Sequence, residues 1–352
     1  MNLPGRPGGG PPRRDKEMPP RRPGRLREAA PESPGLAAWL LRVLGLLLML
    51  TALVLAWSQA PDRPVESLVA RWAPPPSDFI EVKGQLVHLR DEGRRDDTAP
   101  LVLLHGTAAS LHTWEGWVKA LKAQRRVITL DLPGFGLTGP FAGRYPPDDY
   151  RGDAYARFVV DVLDTLKLPR VVLGGNSLGG EVAWRVASIA PERVERLILV
   201  DAAGPAFDAQ SRPLGFIAAR LPVLGWLGQH VLPRALVAQG LVSVYGDPDQ
   251  VSADLVDRYF ELALREGNRR ALGLRLRQAE PGQDIERLDR ITQPTLILWG
   301  GRDRLIPRAV ADEFRRRIRD SRVVVFDELG HVPQEEDPVR SVEPVKAFIG
   351  LR

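Results

Sequence analysis

Large apolar side chains are unevenly distributed along this chain. Residues 1–34 hold little beyond Leu3, Met18 and Leu26, among nine Pro and five Gly. So little burial cannot offset chain entropy, which predicts a disordered tail. From Gly35 to Trp57 the chain is apolar apart from Arg42, and Val43–Ala60 runs for 18 residues without a charge. A helix rising about 1.5 Å per residue covers roughly 27 Å over that stretch, close to the hydrocarbon thickness of a bilayer. One transmembrane signal-anchor helix over residues 35–60 is the expectation. Ser58-Gln59-Ala60 offers a peptidase site as the alternative, but the long preceding region, the length of the apolar stretch and Pro61 immediately after it argue for an uncleaved anchor. Pro61, Pro64, Pro74, Pro75 and Pro76 then predict a stiff linker over 61–78.

Beyond the linker the pattern becomes an alternation of strands and helices over residues 79–352. Phe79–Val82 and Gln85–Arg90, joined through Lys83-Gly84, read as an antiparallel hairpin. Continuous apolar runs recur at Leu101–Leu104, Val127–Leu130, Val171–Leu173, Leu197–Val200, Thr295–Trp299 and Val323–Phe326, as in a parallel sheet buried on both faces. Helical periodicity fills Tyr155–Leu168, Leu178–Ala190, Ala309–Ile318 and Val339–Ile349. The alternation lapses between Asp201 and Pro294. There Leu214–Arg220, Val223–His230, Ala253–Arg265 and Arg269–Arg277 predict a helical cap at about 204–290, whose start (Phe216, Ile217, Leu221, Val223, Leu224, Trp226, Leu227) is unusually apolar for a surface element.

Composition changes the picture in two places. The chain has 0 Cys, which removes disulfides, thiolate nucleophiles and Cys-ligated metals. The net charge of +5 suggests nucleic acid until it is located: the 34-residue tail carries eight basic and four acidic side chains, and the other 318 residues carry 41 basic and 40 acidic ones. The body is therefore near neutral, and no nucleic-acid partner is expected; the arginines at 315–317 and 319 read as a solvated helix face. Basic residues crowd the N-terminal side of the apolar span, which predicts a cytoplasmic N-terminus and a body on the extracytoplasmic side.

The chemistry is concentrated at the expected strand ends. Gly175-Asn176-Ser177-Leu178-Gly179 lies between a buried strand and a helix, the context in which a sharp turn exposes a nucleophilic serine. A serine hydroxyl needs a neighbouring base. Of the five His, His331, in Leu329-Gly330-His331-Val332-Pro333 after the last strand, is best placed. Asp303, following Thr295–Trp299, completes the order Ser, Asp, His; Asp201, after Leu197–Val200, is the competing acid. Backbone N–H groups of Leu178 and of Thr107, in the Gly106-Thr107-Ala108-Ala109 loop, would form the oxyanion hole. Trp114 and Trp117 read as packing residues, and no P-loop, dinucleotide fingerprint or metal-ligand cluster is visible.

His105-Gly106, Asp131-Leu132-Pro133-Gly134-Phe135-Gly136, Gly175-Asn176-Ser177-Leu178-Gly179-Gly180, Gly301-Arg302-Asp303 and Gly330-His331 together resemble the α/β-hydrolase fold superfamily, in its order and over most of 79–352. The resemblance implies a mostly parallel eight-stranded α/β sheet with helices on both faces and a cap, a Ser177–His331–Asp303 triad, and neither cofactor nor metal. It is similar to lipases, esterases and meta-cleavage carbon–carbon hydrolases. The last usually carry Trp after the catalytic His, where this chain has Val332. Ser177 stands where dehalogenases and epoxide hydrolases of this fold carry an aspartate. The expected activity is cleavage of a carboxylic, lipid-like ester through an acyl-enzyme, with Phe216 and Trp226 as candidate acyl contacts. A carbon–carbon hydrolase and a non-enzymatic binder on the same scaffold are the alternatives.

Overall fold

The computed structural model describes Gly10, residues 35–221, Leu224 and residues 227–351. The tail expected to be disordered (Gly10 apart), Trp226 and part of the helix expected at Val223–His230 lie outside the described residues. The chain divides into two units, residues 1–53 and 54–352. Helix α1, Leu36–Trp57, contains the one helix segment among the described residues that is long and apolar enough to cross a membrane, Leu36–Val54, with a mean hydropathy of 2.2.

The body is built on eight strands: β1 (Ser77–Val82), β2 (Gln85–Gly93), β3 (Leu101–Leu104), β4 (Arg126–Leu130), β5 (Val171–Asn176), β6 (Val194–Val200), β7 (Thr295–Gly300) and β8 (Ser321–Phe326). They lie in the order β1-β2-β4-β3-β5-β6-β7-β8. The pairs β1/β2 and β2/β4 are antiparallel, and every other pair is parallel. The chain therefore reverses its direction of winding at β3, which has β4 on one side and β5 on the other. In an open α/β sheet, that reversal opens a crevice beyond the carboxyl ends of the strands.

Why the strand runs are apolar throughout follows from where alternate side chains go. Val102, Leu104, Leu197, Leu199, Ile297 and Trp299 join one buried cluster, while Leu101, Leu103, Ile198, Val200, Leu296 and Leu298 join another. A period-two chain with both faces covered must be apolar at every position. Helices α4 (Gly152–Thr165) and α5 (Leu178–Ile189) cover the first face through Phe158, Val162, Val182 and Trp184. Helix α3 (Glu115–Leu121) and the last helix, Pro338–Phe348, cover the second through Trp117, Leu121, Val342 and Val345. Trp114 and Trp117 are completely buried, with ring centroids 5.0 Å apart, and the Trp117 Nε1–H donates to Ser341 Oγ at 2.9 Å.

The segment 61–78 differs from the extended spacer that its prolines suggest. Glu66–Trp72 forms helix α2, Leu68 on it is fully buried against Leu137 and Leu262, and β1 already begins at Ser77. The prolines flank the helix rather than interrupt it, so Val65, Leu68 and Trp72 are free to present one apolar face to the body.

Trp117→Ala should cost about 3–5 kcal/mol, the range for removing a large aromatic from a closed core. Trp117→Phe, which keeps most of the ring and leaves Ser341 without its donor, should cost roughly 1–3 kcal/mol. Urea unfolding of the full chain in detergent, followed by tryptophan fluorescence, measures both; an unchanged midpoint for the alanine variant would refute this account of the second core.

Candidate active site

The structure brings Ser177, His331, Thr107 and Leu178 to the wall of one cavity of about 340 Å³, with Phe216 also lining it. Ser177 sits at the strand–helix junction with φ 53° and ψ −116°, a conformation a non-glycine residue holds only when its surroundings enforce it. Two glycines allow the enforcement. A Cβ on Gly175 would lie 2.1 Å from the Gly179 carbonyl oxygen, and one on Gly179 would lie 2.1 Å from that of Leu104. The elbow is tied to β6, Ser177 N–H donating to Val200 O and Ala203 N–H to Ser177 O, both at 3.0 Å. The loop after β3 approaches from the other side: a Cβ on Gly106 would fall 3.1 Å from the Ser177 Cβ. His105 fastens that loop, its Nδ1 lying 2.7 Å from Gly106 O and its Nε2 accepting from Leu132 N–H at 2.9 Å. Burial holds the His105 pKa down, so its ring favours the neutral form that accepting requires.

His331 is buried, and its Nδ1 lies 2.7 Å from Asp303 Oδ2. The other Asp303 oxygen accepts backbone N–H from Leu305 at 2.8 Å and Ile306 at 3.0 Å. With that geometry Asp303 can hold the imidazole in the tautomer that leaves Nε2 free to accept a proton. Asp201, the competing acid, has a different environment. Its Oδ1 accepts Gly300 N–H at 2.9 Å, and it bonds no imidazole. Burial first, and the neighbouring Asp303 carboxylate second, push its pKa well above the ordinary range, an environment that favours the protonated form. Asp201, Asp303 and His331 also form a group whose ligand atoms all lie within 4.8 Å of one another. One of these oxygens already serves a backbone N–H, the imidazole Nδ1 serves Asp303, and Asp201 favours protonation; this donor set suits proton handling better than a cation.

Two positioning residues were not apparent from the sequence. Asn176 Nδ2 donates to His331 O at 2.9 Å and to Val200 O at 3.1 Å, linking the elbow directly to the histidine loop. Glu336 is buried and gathers backbone N–H from Gly330 at 2.9 Å, Gly246 at 2.8 Å and Val332 at 3.3 Å. The signal available for Glu336 was a carboxylate five positions after His331, at the end of a short helix α11 (Pro333–Glu336).

The remaining described histidines near the site are structural. His88 Nδ1 lies 2.7 Å from Asp131 Oδ2, and Asp131 also accepts from Leu111 and Leu137 N–H at 2.7 and 2.8 Å. His112 is lowered to about 4 by burial and bonds Trp72 O and Ser110.

Comparison with known proteins agrees with this architecture. The model of the alpha/beta hydrolase family matches residues 101–343. The chain belongs to that family. It is 32% identical over 274 residues to a dihydrolipoyllysine-residue acetyltransferase component of an acetoin cleaving system from Pseudomonas putida, covering 76% of this chain and 68% of that one. It is 30% identical over 262 residues to a 2-hydroxy-6-oxo-2,4-heptadienoate hydrolase, also from Pseudomonas putida, covering 71% and 88%. Among solved structures, a membrane phospholipase A described as a bacterial virulence factor aligns with a TM-score of 0.64 at 26% identity, covering 90% of this chain and 96% of that one.

Ser177→Ala and His331→Ala should each lower kcat by at least about 10³-fold, and Asp303→Asn by about 10³–10⁴-fold, with folding retained. Asp201→Asn keeps an acceptor for Gly300 N–H and disturbs no bond to the imidazole, so its kcat should fall less than about tenfold. Steady-state ester hydrolysis with circular dichroism as a folding control decides this. A larger loss in Asp201→Asn than in Asp303→Asn would exchange their roles.

Proposed function

We propose that this hydrolase cleaves carboxylic esters with an apolar acyl group, through an acyl-enzyme, as a single-pass membrane protein with its N-terminus cytoplasmic and its catalytic body across the bilayer. The observation that carries the reading is the cavity: beside Ser177 and His331 it is walled by Phe216, Leu232, Leu236, Leu241 and Leu272, which suit a hydrocarbon chain.

In this reading Ser177 Oγ attacks the ester carbonyl carbon while His331 Nε2 takes its proton. The carbonyl oxygen becomes an oxyanion facing the N–H groups of Thr107 and Leu178, the latter at the positive end of α5. As the tetrahedral adduct collapses, His331 returns the proton to the departing alkoxide. Water then repeats the sequence on the acyl-serine, releasing the acid and restoring Ser177. Asp303 orients the imidazole throughout and stabilises the imidazolium each time it forms, and the raised pKa of Asp201 disfavours a second negative charge beside it.

Support from relatives is divided. The Pseudomonas putida hydrolase named above acts on a dienoate, and such names favour carbon–carbon bond cleavage more than ester hydrolysis. That is the second reading. Val332 in place of the Trp usual there argues for the ester, as does the membrane phospholipase, whose alignment reaches 90% of this chain. The same triad serves either reaction, so the substrate decides.

Fluorophosphonate should label the full chain and not its Ser177→Ala variant. In a series of p-nitrophenyl esters, kcat/KM for octanoate should exceed that for acetate at least tenfold, since several buried methylenes are each worth up to about 0.8 kcal/mol. Phe216→Ala should flatten that series. Faster turnover of 2-hydroxy-6-oxo-2,4-heptadienoate than of any ester would establish the second reading instead.

A further inference from the structure

The first cap helix is apolar on two sides. Helix α6, Leu214–Arg220, has no charge before Arg220. Gly215, Phe216 and Ala219 line the catalytic cavity, while Leu214 and Ile217 point away from it and are exposed. Leu221 and Leu224 continue the exposed apolar surface past the end of the helix, Leu224 also reaching the cavity wall, and all four side chains are at least 43% exposed. Exposed Arg212 and Arg220 flank the patch. Single exposed apolar side chains are ordinary, but three leucines and an isoleucine within eleven residues, bordered by arginines, mark a contact surface.

What covers that surface is indicated by the chain leaving α1. Trp57 is the last residue of α1, and the next three residues are already part of the cap's hydrogen-bonding. Ser58 O accepts Leu232 N–H at 3.2 Å, Ala60 N–H donates to His230 O at 3.0 Å, and Gln59 forms an antiparallel bridge with Val231. A second clamp follows. Arg63 exchanges backbone bonds with Leu264 and Glu266 at 2.7 and 2.9 Å, and Asp62 bonds Gly267 N–H and the Arg269 guanidinium. The chain is therefore fastened to the cap from Ser58 onward. Leu224 lies six residues before His230, so the patch is within about 20 Å of this attachment even for fully extended chain.

We infer that Leu214, Ile217, Leu221 and Leu224 seat the cap in the bilayer leaflet where α1 emerges, and that the cavity receives its acyl chain from that leaflet: the substrate is a membrane lipid ester. Arg212 and Arg220 then lie at the headgroup level, where anionic lipids favour them. The inference rests on reading α1 as an anchor and the site as an ester hydrolase.

Because the chain has 0 Cys, single cysteines report cleanly. The full-length protein, carrying Leu47→Cys, Leu214→Cys, Ile217→Cys or Val339→Cys labelled with an environment-sensitive fluorophore, is reconstituted in phosphatidylcholine/phosphatidylglycerol vesicles containing acyl-chain nitroxide lipid. Leu47, inside α1, and Val339, 75% exposed on the last helix, are the two references. Labels at 214 and 217 should be quenched at least twofold more than at 339. Quenching at 47 with 214 and 217 no different from 339 overturns the seated cap; absence of quenching at 47 overturns the anchor and the inference with it. In a second arm the combined Leu214→Ser, Ile217→Ser and Leu221→Ser variant should lose at least tenfold in kcat/KM on a long-chain ester embedded in vesicles, with soluble p-nitrophenyl butyrate hydrolysed as before. Equal loss on both substrates, or on neither, overturns uptake from the leaflet. If the wild type cleaves neither ester, the hydrolase reading fails, while the quenching result still decides where the cap sits.

Discussion

Close backbone approach at the start of α5 is the constraint on which the site depends. Gly179 brings the helix against the end of β3 at a distance that leaves no room for a Cβ, and Gly175 does the same for the turn before it. Ser177 is driven into a left-handed conformation as a result, and the strain is borne by the hydrogen bonds to β6. Everything else is arranged around that point. The loop after β3 lies against Ser177 because β3 and β5 are neighbours, and they are neighbours because the sheet reverses its winding there. The crevice produced by the reversal is the cavity that the cap closes.

Three carboxyl groups crowd around one imidazole, and their environments divide the labour. Asp303 keeps two backbone donors and the His331 ring, so its charge is paired on both oxygens. Asp201 has one backbone donor, no cation and a charged neighbour, and the low-dielectric site resolves the conflict by favouring its protonated form. Glu336 is raised by burial, opposed by the N–H groups of Gly330, Gly246 and Val332 that it gathers. Of the three, only Asp303 bonds the imidazole itself, so it is the carboxyl group placed to stabilise an imidazolium.

The sheet and the reactive residues were legible in the sequence because both are written locally. A strand buried on two faces must be apolar throughout, so Leu101–Leu104 occupies the observed strand to the residue. The elbow glycines and Ser177 lie within five consecutive positions, and Asp303 and His331 follow strand ends. Helix α2 was hidden because prolines on either side dominate the composition of 61–78, whereas its helical face consists of only Val65, Leu68 and Trp72. The role of Glu336 was hidden for another reason: it bonds backbone N–H groups, one of them ninety residues away at Gly246, and backbone donors leave no trace in residue type. Helix Arg234–Val244 shows no clear polar face because its exposed positions include Ala235 and Val242, while Val237, Leu241 and Val244 both line the cavity and belong to the cluster with Val256.

The cap is not a lid hinged at its two ends. Val332, next to His331, packs with Leu241, Tyr245 and Val256 of the cap, and His331 N–H donates to Val244 O at 2.7 Å. Arg258 and Tyr259 of the cap both bond Glu335, a residue of the short helix after His331. On its other border the cap is clamped by Ser58–Arg63, and Glu261 receives Arg71 and Trp72 from α2. Swinging the whole cap would break the backbone bond between His331 and Val244, so the cap's rear half is part of what positions the His331 loop. Helix α6, by contrast, has no buried residue of its own and makes cavity wall with one side only. Under the proposed function the two tasks divide along the cap: the backbone bond from His331 to Val244 keeps the histidine aligned, and α6 is where an apolar chain would meet the cavity.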